Sequence, residues 1–190
     1  VTAADDKTAS ITADTGDATV NADVTAGTVN VEATKGNVTT AAAATLKSNA
    51  DGVTLKAGKG IVDAATIAAA NGATLTADTA DVKVDGAITA AAGDVAVKAT
   101  AGKVDTTADI TATAGAVAVQ AGTDATIGAA VQADQNVDVT ATTGAVNTTG
   151  LLTSTKGDVT VKAGTAATIG AAVTAADDKT ASITADTGDA

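Results

Sequence analysis

The chain has 190 residues, of which Ala, Thr, Val, Asp and Gly supply 151, and its 22 acidic and 11 basic groups give a net charge of −11. It contains no Cys, His, Pro, Met, Arg or aromatic residue, which excludes thiolate and imidazole nucleophiles, disulfides, structural zinc and His-assisted triads. Negative charge without Arg or stacking rings also excludes a nucleic-acid partner. At 45% hydrophobic the composition is not that of a disordered chain, and no apolar run approaches the roughly 20 residues of a membrane span. With only small and β-branched apolar side chains, the core must be narrow and the molecule elongated.

The chain opens with VTAADDKTASITADTGDA at residues 1–18, and residues 173–190 repeat that segment without a change. It therefore reads as one continuous shaft over 1–190, with a long repeat of 172 residues (1–172) and the first 18 of the next. No basic, apolar leader precedes Asp5, and the absence of an initiating Met suggests a window from a longer array. From Thr8 onward a stretch of alternation recurs with starts at 8, 28, 52, 72, 94, 116, 136, 158 and 180. Eight coils averaging about 21.5 residues thus make one long repeat. In every coil the second, fourth and sixth positions are apolar, as in Val29-Val31-Ala33, Val53-Leu55-Ala57 and Val117-Val119-Ala121. Period-two alternation predicts a half-buried strand. Each coil adds two shorter apolar stretches. One includes Val38, Ile61-Val62, Val82, Val104, Ile127 and Val146; the other Val24, Ile67, Ile88, Ile110, Val131 and Leu151-Leu152. Gly, Asn, Asp and Lys fill the corners between them, as in Thr34-Lys35-Gly36-Asn37.

Three strands and three corners per coil predict an all-β fold, a triangular β-solenoid. A helix is disfavoured despite the Ala content, because Gly recurs about every ten residues and no 3.6-residue stripe persists. Ala41–Ala44 falls in the 24-residue coil, and together with Thr45-Leu46-Lys47 it is expected to bulge outward. A single coil cannot bury its own apolar edge, so stacking must create the core. Parallel crossovers favour a right-handed parallel β-helix. At about 4.8 Å per coil, eight coils advance roughly 38 Å. The register also predicts that Glu32 and Lys56 lie side by side on an outer face.

The segments Gly93-Asp94-Val95-Ala96-Val97-Lys98-Ala99, Gly115 to Ala121 and Gly157 to Ala163 share a G-x-V-x-V-x-A pattern. In this the chain resembles the filamentous-haemagglutinin type of large exoprotein, secreted bacterial surface proteins whose shafts are right-handed parallel β-helices. The resemblance implies an extracellular or cell-surface location and a structural role, as the shaft of a fibre, appendage or adhesin. It covers essentially the whole chain, although the amino-terminal secretion region of that family has no counterpart here.

Aspartates suggest calcium, with Asp5, Asp6, Asp14 and Asp17 as the candidate ligands, but the GGxGxDxUx nonapeptide of calcium β-rolls is absent and Asp at a corner also serves to form the turn. A calcium-dependent surface-layer or β-roll protein is the alternative function. Gly58-Lys59-Gly60 lacks phosphate-loop spacing and the Ser or Thr that should follow the Lys. An ice- or glycan-binding module is the less favoured alternative; ice binding needs regular outward Thr ranks, and these are broken by Asn30, Glu32 and Lys56. Acids scattered over corners do not form the paired carboxylates of glycoside hydrolysis, so neither an enzyme nor a cofactor is expected. Asn37-Val38-Thr39 and Asn147-Thr148-Thr149 match the glycosylation sequon. Self-association end to end is expected, because a cut solenoid exposes unpaired strand edges. Lateral bundling through Ala41, Ala42, Ala43 and Ala44 is the further expectation.

Overall fold

Residues 1–190 are all described by the structure, a computed structural model. Alternating Val and Thr favour extended backbone, and Gly and Asp interrupt it before a strand can lengthen. The result is all-β, with three sheets and no helix. The first face holds nine strands, from Thr8–Ala13 to Ala181–Ala185. The second holds eight, from Ala18–Val20 to Ala167–Ile169, and the third eight, from Val24–Ala26 to Val173–Thr174. Each coil contributes one strand to each face, so the chain is a parallel β-solenoid of about eight turns.

All strand pairs are parallel and join successive coils. On the first face Ala9, Val29, Val53, Ala73, Val95, Val117, Val137, Val159 and Ala181 form one column. That column is the expected register, and it survives coil lengths between 20 and 24 residues because the corners absorb the difference. The backbone bonds run along the axis, as in Val53 N–H to Gly72 O at 3.0 Å and Val95 N–H to Ala116 O at 2.9 Å. Coils come so close at some corners that only hydrogen fits on the α-carbon. A Cβ on Gly36 would lie 2.0 Å from the Gly16 carbonyl oxygen, and one on Gly150 would lie 1.8 Å from that of Ala129. Gly58 is such a corner as well, where an added Cβ would meet the Thr34 carbonyl oxygen, and is not part of a phosphate loop.

The core is a single cluster of 47 buried apolar residues running the length of the molecule. Burying each Val, Ile or Leu contributes about 1.5–3 kcal/mol. Every predicted inward residue of the first face is buried except in its two outermost strands, where Ile11, Ala13, Ile183 and Ala185 are half-buried and Ala181 is exposed, each with a strand on one side only.

Three expectations are corrected. Val62 and Leu151 point outward and are 44% and 47% exposed, because Ile61 and Leu152 take the inward positions and alternation then fixes their neighbours. The partner that follows Ile61 inward is Asp63, fully buried, in a column with Val20, Thr40, Val84, Thr106, Ile127, Thr148 and Ile169. Nor is the stretch from Ala41 to Lys47 one bulge. Thr45–Ser48 is a regular strand of the third face with Leu46 in the core between Val24 and Ile67. Ala44 is buried and Ala41 half-buried, so only the turn residues Ala42 and Ala43 protrude. The four-alanine lateral patch shrinks to two methyl groups, because the inward–outward alternation has already resumed at Ala44.

Candidate functional surface

Many of the acidic and amide side chains lie on the corners, where they connect one coil to the next. The residue just before a strand leaves a backbone N–H pointing along the axis, and an Asp or Asn at the same place in the preceding coil accepts from it. Asp17 Oδ1 accepts from Asn37 N–H at 2.7 Å, and Asn37 Oδ1 in turn from Gly60 N–H at 3.2 Å. Asp81, Asp94, Asp124, Asn136 and Asp158 do the same for Lys103, Ala116, Ala145, Asp158 and Thr180, at 2.8–3.0 Å. On the corner before the third face, Asp23 holds Thr45 N–H and Asp109 holds Ala130 N–H. Every clamp has the same direction: the side chain belongs to one coil and the N–H to the coil after it. The sequon residue Asn37 also donates through Nδ2 to Asp17, so its amide is already engaged.

Ion pairs add a second set of ties. Glu32 and Lys56 stand opposite in register with Nζ 3.1 Å from Oε1, as expected for position five of successive coils. Lys156 lies 2.9 Å from Asp134, and Lys83 pairs with Asp85. Bonds from Lys83 and then Thr107 hold the Asp85 carboxyl below its ordinary range, and bonds from Lys156 and Thr155 do so for Asp134. The exposed Glu32–Lys56 pair contributes at most about 1 kcal/mol.

The calcium candidates are distributed as follows. Asp5 accepts from Asn49 Nδ2 at 2.7 Å, Asp6 pairs with Lys7, and Asp17 is a clamp. Asp14 stands at the opposite end of the first strand from Asp5 and Asp6, on the corner with Asp17. The structure does not gather three of these carboxylates into one cluster. A shallow polar trough of about 440 Å³ crosses the first face beside Thr28, Asn30, Thr54 and Thr74, where Gly52 and Gly72 present no side chain.

One functional group escaped the sequence pattern. Asp63 is inside the solenoid, where Thr40 Oγ1 donates to its Oδ1 and Oδ2 has no partner. The Thr40 hydroxyl oxygen accepts in turn from the N–H groups of Ala64 and Ala65, both at 3.0 Å. Burial raises the Asp63 carboxyl from 3.8 to about 6; the bond from Thr40 and the nearby Ala65 N–H pull against that rise, and Asp85 adds to it. The available signal was phase: pairing Ile61 with Val38 necessarily sends Asp63 inward beside Thr40.

Three unbroken parallel sheets around a core of small side chains, with corner carboxylates engaged in coil-to-coil bonds, define a β-solenoid repeat protein. Comparison with protein families, curated proteins and solved structures found no match.

Proposed function

We propose that the chain is a shaft segment of an extracellular bacterial fibre, appendage or adhesin, giving length and stiffness by end-to-end stacking of solenoid repeats. The observation that carries this reading is the recurrence of one clamp geometry on coil after coil, in a chain whose last 18 residues restart its first 18. Such an arrangement propagates without limit and provides stiffness through bonds parallel to the axis. Chains carrying one, two and four copies of the 172-residue repeat test it by negative-stain microscopy. The shaft reading predicts rods of constant width that lengthen by about 38 Å per copy. Compact particles whose width grows with copy number would overturn it. Calcium-dependent folding is separated by circular dichroism: chelation leaves the β signal of a shaft unchanged and abolishes that of a calcium β-roll.

A further inference from the structure

The corner beside the polar trough of the first face lacks the clamp that other corners carry. Gly52 and Gly72 each stand just before a strand on successive coils, since Val53 lies opposite Ala73. Elsewhere on this face Asp94, Asn136 and Asp158 fill that place and accept the N–H groups of Ala116, Asp158 and Thr180. Gly52 has no side chain to do so, and none fits, because a Cβ there would lie 2.6 Å from the Gly72 carbonyl oxygen. The packing that requires glycine at 52 therefore leaves the Gly72 N–H without a protein acceptor.

The residue before that N–H is Asn71, in the only Asn-Gly pair of the chain. A backbone nitrogen that follows Asn attacks the side-chain amide carbon when it is unengaged and unhindered and when the amide is free to turn toward it. Asn37, Asn49 and Asn136 meet neither condition. Their side chains are engaged by Asp17, Asp5 and Asp158. The N–H groups that follow them, on Val38, Ala50 and Val137, donate to the carbonyls of Gly60, Gly27 and Asp158. Asn71 is exposed, its side chain makes no hydrogen bond to the protein, and glycine at 72 offers the least hindrance. Its Oδ1 and the Gly72 nitrogen face one point, where a Cβ on Gly93 would lie 2.3 Å from the first and 2.8 Å from the second.

We infer that Asn71-Gly72 is a self-modifying site, at which the folded protein loses ammonia and forms isoaspartate. The Gly72 nitrogen gives its proton to water and bonds to Asn71 Cγ. The Cγ–Nδ2 bond then breaks, and Nδ2 takes a proton from water and leaves as ammonia. Asn71 and Gly72 line the trough, so water reaches the succinimide and opens it at either carbonyl, leaving an aspartyl or isoaspartyl residue at 71. The new carboxylate stands one coil from Asp51, whose carbonyl accepts the Asn71 N–H at 2.9 Å, and like charges so placed are destabilising. The isoaspartyl form also lengthens the backbone where Gly93 already packs closely. The reaction requires this corner alone, not the assembly of a shaft.

Asp85-Gly86 supplies the control. It has the same glycine, but the Gly86 N–H donates to Asp63 O at 3.2 Å and the Asp85 carboxylate is held by Lys83 and Thr107. Asp51-Gly52 shares the free N–H, but a carboxylate is a poorer electrophile than an amide and reacts more slowly. The chain is incubated at mildly alkaline pH, folded or in urea, and isoaspartate at 71 and 85 is measured by peptide mass and enzymatic methylation. Folding is expected to slow the reaction at 85 about tenfold or more, and that at 71 less than about threefold. Equal slowing at both positions, or aspartate at 71 without isoaspartate, overturns the site. Asn71→Gln, whose longer side chain disfavours ring closure, should keep its melting temperature over the incubation while the parent's falls as product accumulates. Parallel falls in the two proteins would overturn the claim that the molecule ages at this corner.

Discussion

Val97 and Asp63 mark the two extremes of what the interior tolerates. Val97 is fully buried between Leu75 and Val119, with no polar partner in reach. Val97→Asp therefore leaves a carboxylate unpaired in the core and costs about 3 kcal/mol or more, read as a lowered melting temperature by circular dichroism. A variant that melts like the parent would contradict the register. Asp63 persists because Thr40 satisfies one of its oxygens. Its folded value of about 6 lies above the unfolded 3.8, so its contribution is most favourable below pH 4 and is lost as pH rises through 6. The difference corresponds to about 3 kcal/mol between the two limits. Asp63→Asn keeps an oxygen for Thr40 and removes the titration. Its denaturant midpoint should then fall less than the parent's between pH 4 and 7.5; parallel profiles for the two proteins would contradict the burial of this carboxyl.

At the scale of the element, the corner clamp links sequence to stacking. A strand of three residues, such as Val104–Thr106, makes too few ladder bonds to fix its own position, and the Asp81 bond to Lys103 N–H just before it sets the start of pairing. Asp94→Ala removes the acceptor for Ala116 N–H and should lower stability by about 1 kcal/mol, while Asp94→Asn keeps the acceptor and most of the stability. Equal loss in both variants, measured by urea unfolding, would assign the effect to charge rather than to the clamp. The first face was legible in the sequence because its five- and six-residue strands show alternation directly, with Val95-Val97-Ala99 as the clearest case. The three-residue strands show only two inward positions each, too short for a phase to be read alone. That is why Val62 and Leu151 passed as core, and why Asp63 emerged only once Ile61 was paired with Val38. The corner acids were legible as corner residues; their coil-to-coil bonds were not, because these depend on alignment over 20 to 22 residues.

The whole molecule follows from stacking these units. Its net charge of −11 is distributed so that acids face Thr, Lys, Ala or Val across the strand pairs, and repulsion along the axis is kept low while the surface stays strongly charged. The core contains no side chain larger than Leu or Ile, which keeps the three faces close together and lets every coil repeat the one before. Each coil buries its apolar side chains against the coils stacked before and after it along the axis. X-ray diffraction from aligned multi-copy rods tests this most directly. Coils stacked along the axis predict a strong reflection at about 4.8 Å parallel to the rod, indexed on a repeat near 38 Å. A 4.8 Å reflection perpendicular to the rod, with the strands running along its length, would contradict the account.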